Sequence, residues 1–369
     1  MDAVYTDLKA AFDRIDHGIL LAKLDRLGVP RSIVRWIASY LTGRTHTVKI
    51  GDCESLPIYS KSGVPQGSNI GPTFFLVYYN DVTFVLPPGC RLLYADDLKI
   101  FHVIKSVDDC RLLQQLIVSF TRWCDLHFLT VSNSKCSVIS FTRKLQPIIW
   151  PYTIGNQPLE RVTVVKDLGV LLDVKLNFSS QCNSALTKAN RSLGFMFRIT
   201  SEFRDLDCLR ALYYAIVRSH LETAVVAWCP YTDEWITRIE SVQRKFTRFA
   251  LRFQSWPNPV DSPTYEQRCQ RLGMVTLSQR RTYLRAVFVG KLLLGSFDAP
   301  GILARIHLNA IPRPLRTRSF LRLGFHRTQY GQHEPIRAMC SIFNEYCYLF
   351  DYCMLGDSFT LCLRRTMFN

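Results

Sequence analysis

The stretch 91–103, Arg-Leu-Leu-Tyr-Ala-Asp-Asp-Leu-Lys-Ile-Phe-His-Val, constrains this chain more than any other. An apolar run leads into two adjacent carboxylates, and a second apolar run leads out. Aspartate is depleted in strands and common in turns. The pattern therefore predicts a β-hairpin with Asp96 and Asp97 at its tip. Neighbouring carboxylates repel, and keeping both ionised calls for a cation. Hard divalent cations such as Mg²⁺ take oxygen ligands. The competing reading is an ordinary solvated acidic turn. The apolar flanks weigh against it, and a third carboxylate elsewhere in the chain would decide.

Composition narrows the class. A chain of 369 residues, 48% hydrophobic, suggests two or three domains with real cores. No apolar run approaches the roughly 18 residues that a membrane-spanning helix needs. The N-terminus lacks a basic stretch followed by an apolar one, so no secretory signal is expected. The thirteen cysteines are scattered, and none forms a Cys-x-x-Cys pair. Neither a disulfide scaffold nor a zinc ribbon is indicated, and free thiols in a reducing compartment are expected. The reading is an intracellular protein of cytoplasm or nucleus, without a membrane partner. A formal charge of +16 points to a polyanion, nucleic acid first.

Taken in order, the chain alternates strands and helices as far as residue 173. Ala3 to Leu8 reads as a short strand ending at the carboxylate Asp7. Ile19, Leu20, Leu24 and Leu27 follow at helical spacing, with Gly28 as the stop. A second helix carries Ile33, Val34, Ile37 and Leu41 on one face. Strand candidates at 45–50 and 56–60 come next. The loop 62–72, Ser-Gly-Val-Pro-Gln-Gly-Ser-Asn-Ile-Gly-Pro, opens an apolar helix over 73–82. Glycine lets backbone approach a ligand closely, and Gln66 offers a donor and an acceptor. An ordinary loop before a core helix is the plainer reading. A long amphipathic helix begins near Asp108 and Asp109, and a strand is expected over 138–141.

The order of these pieces resembles the palm of a reverse transcriptase, specifically that of jockey-like non-LTR retrotransposons. Tyr-Thr-Asp-Leu-Lys-Ala-Ala-Phe-Asp at 5–13 matches the first palm motif, and Gly-Val-Pro-Gln-Gly-Ser at 63–68 the second. Tyr-Ala-Asp-Asp at 94–97 matches the third. Asn-Ser-Lys-Cys at 133–136 resembles the fourth, and Asp-Leu-Gly-Val at 167–170 the fifth, the primer grip. The resemblance implies RNA-directed DNA polymerisation by two metal ions, Mg²⁺ or alternatively Mn²⁺, with an RNA template, a DNA primer and deoxynucleoside triphosphates as partners. It makes Asp7 the third carboxylate. Asp7 and Asp96 are the implied metal ligands, with Asp97 in support. It places Phe12 as an aromatic gate against a 2′-hydroxyl, a role compatible with core packing. Gln66 and Gly67 would contact the nucleotide and the template, and Lys135 would act as general acid toward pyrophosphate. The first motif begins at Tyr5. The chain is therefore read as the C-terminal part of a polyprotein, without fingers or endonuclease, and weak or absent nucleotide incorporation by it alone is expected.

Beyond residue 175 the pattern is helical, over 178–199, 207–217 and 236–253, and resembles the thumb that follows such a palm. Pro257, Pro259 and Pro263 suggest a linker. From Arg244 to Arg327 there are sixteen basic residues against three acidic ones, a net of +13, and fourteen are arginine. Arginine favours phosphate contacts. Arg244, Lys245, Arg248, Arg252, Arg280 and Arg281 are the nucleic-acid-binding candidates, although a charged stripe is commonly just a solvated face. The tail after residue 330 carries no motif. The expected architecture is α+β: a palm with an antiparallel sheet over 1–175, a helical thumb over 176–255, and a basic helical extension over 256–369. The alternative function is a non-catalytic nucleic-acid-binding remnant of a retroelement. A two-metal nuclease would share the carboxylates but not explain the Gln-Gly loop, the Phe12 spacing or the lysine motif.

Overall fold

A computed structural model describes residues 1–253, 263–309 and 319–368. The chain forms two compact units. The first comprises Met1–Val165 with Asp173–Leu176, and the second Lys166–Leu172 with Asn177–Asn369. Pro257 and Pro259 lie outside the described residues, as do Arg313, Arg316 and Arg318.

The first unit is built on strand β1 (Asp2–Thr6), whose Ala3 and Val4 are buried. Helices α1 (His17–Arg26) and α2 (Arg31–Leu41) follow. Asp16 caps α1 by accepting from the Ile19 amide at 2.9 Å, and Gly28 takes a left-handed φ just beyond its end. The strand candidates at 45–50 and 56–60 form one long hairpin. Thr45–His46 pairs with Ile58–Tyr59, and Lys49–Ile50 with Cys53–Glu54. Helix α3 (Gly71–Tyr79) starts two residues earlier than the pattern predicts and continues as a 3₁₀ turn, Asn80–Phe84. Pro72 in its first turn is tolerated because that amide has no helical partner.

Strands β2 (Arg91–Tyr94) and β3 (Asp97–His102) form the expected hairpin. Helix α4 (Val107–Leu126) carries a Ser106–Asp109 capping box. It buries Cys110, Leu113, Leu116, Ile117, Phe120, Trp123 and Cys124 along one stripe. Strands β4 (Ser137–Ser140) and β5 (Glu160–Arg161) complete a five-stranded sheet in the order β5-β4-β1-β3-β2. Only the short β5 runs parallel to its neighbour, β4. The sheet is thus nearly all antiparallel, and the unit mixes helices with a sheet as expected.

A buried charge cluster anchors the start of β1, which no sequence pattern announced. Asp2 is only 3% exposed. It accepts hydrogen bonds from Ser140 Oγ at 2.7 Å and Tyr152 Oη at 2.9 Å, and Arg161 Nη1 stands 3.8 Å away. Burial and then the neighbouring Cys110 and Asp2 drive the Tyr152 phenol well above its ordinary value.

The second unit is predominantly helical: α5 (Ser179–Ile199), α6 (Leu206–Leu212), α7 (Asp233–Ala250), α8 (Tyr265–Arg271), α9 (Leu277–Leu293), α10 (Pro335–Tyr346) and α11 (Gly356–Phe368). Helix α6 runs on through a π-helical turn, Tyr213–Arg218, into Ser219–Glu222. Two hydrophobic clusters lie within the unit. One gathers Tyr213, Trp228 and Phe246, and the other Tyr283, Phe343 and Phe359. The tail that carried no motif supplies most of the second cluster. All thirteen cysteines are free thiols. No helix among the described residues is long and apolar enough to cross a membrane.

Phe120 is fully buried in the first unit's core, beside Ile117 and Trp123. Phe120→Ala should destabilise the protein by about 3–5 kcal/mol, read as a lower urea midpoint at unchanged slope.

Candidate active site

Pairing of β1 with β3 sets the site. The register matches Tyr5 to Lys99 and Thr6 to Leu98, and Thr6 Oγ1 donates to the Leu98 carbonyl at 3.0 Å. Asp7, one residue further, therefore leaves β1 beside Asp97, the first residue of β3. Asp97 is paired across the hairpin with Tyr94. The two-residue turn consists of Ala95 and Asp96, so the tip lies one residue earlier than the sequence suggests. Ala95 adopts a φ of 53°, a left-handed conformation that costs a non-glycine residue about 1–2 kcal/mol. Strain of this kind clusters at functional sites. Asp96 is half-buried and Asp97 exposed.

The segment 130–136 fixes Asp7 from the other side. Lys9 N donates to the Thr130 carbonyl at 2.8 Å, and Ser132 N to the Asp7 carbonyl at 2.7 Å. The Asp7 amide donates to Cys136 Sγ at 3.4 Å. These bonds deliver Lys135, on the 3₁₀ turn Asn133–Lys135, to the carboxylate. Its Nζ lies 3.3 Å from Asp7 Oδ2. The lysine side chain is 69% exposed, so the ion pair contributes under about 1 kcal/mol. Oδ2 itself is enclosed by protein and accepts no hydrogen bond among the described residues. Its charge is answered only by the partly exposed Lys135 ammonium among the described residues, and such a carboxylate oxygen is one that a further cation can neutralise.

Helix α3 brings a residue that the motif reading missed. The Tyr79 hydroxyl is buried and has no hydrogen bond among the described residues. Its ionisation is pushed well above the ordinary range, by burial first, then by Cys124, Asp96 and Asp97. The Asp96 and Asp97 carboxylates thus act electrostatically on this phenol. Its signal in the sequence was only a tyrosine inside an apolar helix. Phe12 reaches the same helix. Its half-buried ring stacks on Phe75 at 4.5 Å, and Phe75 stacks on Tyr79 at 5.3 Å. Gln66 is exposed and donates from Nε2 to Asp13 Oδ1 at 2.9 Å. Gly67 is exposed, with open space around its Cα.

The backbone thus brings Asp7, Asp96 and Asp97 to one end of adjacent strands. No group of three or more His, Cys, Asp or Glu side chains among the described residues is gathered tightly enough to hold a metal ion as it stands. The hard oxygen donors nevertheless suit a Mg²⁺-type ion.

The arginine candidates of the second unit divide. Arg244, Lys245 and Arg248 are exposed on α7. Lys245 Nζ donates to Asn190 Oδ1 at 3.4 Å. The other three are occupied internally. Arg252 donates to the carbonyls of Phe249, Thr200 and Ser201 at 2.6, 3.0 and 2.6 Å. Arg280 forks onto Glu222, with Nη2 to Oε2 at 2.9 Å. Arg281 is 6% exposed and pairs with the buried Glu240 at 3.5 Å. The same planar fork that suits phosphate also suits carboxylates and helix-end carbonyls. A count of arginines cannot separate these uses, and Arg252, Arg280 and Arg281 are better read as structural.

Residues 3–172, which include this sheet and its loops, match the family model for reverse transcriptase (RNA-dependent DNA polymerase). That part of the chain is similar to the reverse transcriptase family. The chain is 31% identical over 186 residues to the probable RNA-directed DNA polymerase from transposon BS of Drosophila melanogaster, covering 48% of this chain and 20% of that protein. It is 26% identical over 256 residues to the probable RNA-directed DNA polymerase from transposon X-element of the same fly, covering 67% and 28%. It is 27% identical over 262 residues to the RNA-directed DNA polymerase from mobile element jockey of Drosophila funebris, covering 66% and 28%. The matches span under a third of those relatives' lengths.

Two glycines of the 62–72 loop separate close approach from mere turn geometry. A Cβ on Gly63 (φ 80°) would lie 2.6 Å from the Asp13 Cα, whereas one on Gly67 (φ 81°) meets nothing within 4 Å. Gly67→Ala should cost about 1–2 kcal/mol, the left-handed penalty alone. Gly63→Ala should cost clearly more, because backbone must also move. Urea denaturation of the two variants side by side checks the order.

Proposed function

We propose that this chain is the polymerising part of a retrotransposon protein. On this reading residues 3–172 extend the 3′-hydroxyl of a DNA primer along an RNA template, using deoxynucleoside triphosphates. The observation that carries it is the β1–β3 register, which ends β1 at Asp7 beside the Asp96–Asp97 turn. The sheet with α3 and α4 is then the palm, and 177–253 the thumb. Asp7 and Asp96 would hold divalent cations, with Asp97 supporting them at the start of β3. Bound there, the ions would lower the pKa of the primer hydroxyl and neutralise charge on the leaving pyrophosphate. Phe12, backed by Phe75, presents a half-exposed ring that can bar a 2′-hydroxyl. Gln66, held by Asp13, and the open Gly67 present donor, acceptor and bare backbone to the nucleotide and template. Lys135, at the Asp7 carboxylate, is the proton donor for pyrophosphate.

A second reading, a nucleic-acid-binding remnant without turnover, draws on the ungathered carboxylates. Primer extension by the full chain on an RNA template with Mg²⁺ separates the two. Weak extension is expected, and Asp96→Asn should abolish it with an unchanged circular dichroism spectrum. Extension retained in that variant would remove Asp96 from the mechanism. No extension by the parent protein, with retained nucleic-acid binding, would favour the remnant. In either case Arg244, Lys245 and Arg248 should make binding fall steeply as salt rises. The triple substitution to glutamine should flatten that slope by roughly two to three units.

A further inference from the structure

The second unit holds a cleft of about 860 Å³ that the polymerase reading does not use. Its walls are the π-helical turn at Tyr214 and Arg218, the turn before α9, and the last helix α11. Four arginines line it, Arg218, Arg280, Arg364 and Arg365, and Glu266 is the sole acidic residue among the lining residues. The volume falls within the range of small-molecule sites.

The charge balance inside is uneven. Arg280 takes both oxygens of Glu222. Arg218 is left a long contact to the same carboxylate, Nε to Oε2 at 3.6 Å. Its side chain is only 18% exposed, and its guanidinium lies 3.4 Å from the centre of the Tyr214 ring. Burial lowers the Arg218 pKa, Glu222 opposes that shift, and Arg280 adds to it. One carboxylate thus serves two half-buried cations. Arg364 and Arg365, one and two residues after the buried Leu363, are exposed and carry no ion pair among the described residues. Thr276 and Gln279 bring the N-terminal turn of the 17-residue helix α9 to the same wall, where its dipole favours an anion. π-Helical turns are rare and recur at functional sites.

We propose that this cleft binds a phosphate group, carried either by a free, nucleotide-sized anion or by a nucleic-acid end. Guanidinium forks match phosphate oxygens two at a time. A bound phosphate would complete the neutralisation that Glu222 leaves unfinished, with Arg218 at the floor and Arg364 and Arg365 at the rim, while Arg280 stays on Glu222. The proposal is independent of the polymerase reading, since it draws on no residue of the first unit.

The test uses the full chain. Calorimetry with inorganic pyrophosphate probes the free anion. Fluorescence anisotropy of a short single-stranded oligonucleotide, with and without a 5′-phosphate, probes the nucleic-acid end. Saturable binding of pyrophosphate, or of the oligonucleotide in its phosphorylated form only, is expected, and which of the two binds names the source. The double variant Arg364→Gln/Arg365→Gln, at exposed positions, should weaken that binding about ten-fold or more. Arg322→Gln, exposed and outside the cleft, should leave it unchanged. Arg218→Lys, which keeps charge and loses the fork, should also weaken it. Binding of neither phosphate probe, or an equal loss in Arg322→Gln and in the double variant, would overturn the proposal.

Discussion

The ladder between β1 and β3 is the interaction on which the candidate active site depends. Strand β1 sits centrally, hydrogen-bonded to β3 on one side and β4 on the other. A one-residue slip in a strand flips every side chain to the opposite face. Here a slip would move Val4, which is fully buried, out of its packing and carry Asp7 away from Asp96 and Asp97. The hydrophobic core therefore enforces the register that brings these carboxylates together. The buried Asp2 cluster adds a second lock at the other end of the strand. Removing one partner from a buried charge set costs about 3–5 kcal/mol, so Ser140, Tyr152 and Arg161 hold β1 against sliding.

The first unit was largely legible in the sequence, for reasons the structure makes plain. Asp7, Gly63, Gln66, Asp96 and Lys135 occupy positions where backbone geometry and chemistry both restrict the residue. Two apolar runs around Asp96–Asp97 implied a hairpin because alternation and turn chemistry agreed. What escaped was tertiary. Asp2 looked like any second residue, yet β4, β5 and the 150–152 segment close over it. Tyr79 looked like one more apolar helix residue, yet its hydroxyl lies within the field of the carboxylates. Neither fact has a periodicity or a motif. The 3.3 Å approach of Lys135 to Asp7 was implied only as a shared role, and segment 130–136 turns it into a contact.

The basic segment was the least legible part, and the reason is chemical. The same residue type does three jobs there. Arg252 caps helix-end carbonyls. Arg281 pairs with Glu240 in a core that also satisfies the Leu277 amide and the Tyr265 hydroxyl. Arg280 shares Glu222 with Arg218. Sequence distance hides these partners, since Glu222 lies 58 residues before Arg280 and Glu240 lies 41 before Arg281. A net charge summed over the segment therefore overstates what is offered to a polyanion.

The internal pairs also bear on what remains outside. Glu222 and Glu240 bind their arginines tightly because each carboxylate is desolvated and must be answered from within. An arginine so held is a poor phosphate ligand, since capturing it would leave the glutamate buried and unpaired. Exposed positive charge among the described residues of the second unit includes Arg244, Lys245 and Arg248 on α7 and Arg364 and Arg365 at the rim of the cleft. These are two separate patches with different geometry. The α7 residues are exposed positions along one helix, suited to following a backbone. The cleft is concave and suited to a single phosphate held by several forks. Charge in this unit is organised by which carboxylates the core has buried, and the surplus appears where a buried carboxylate is shared or absent.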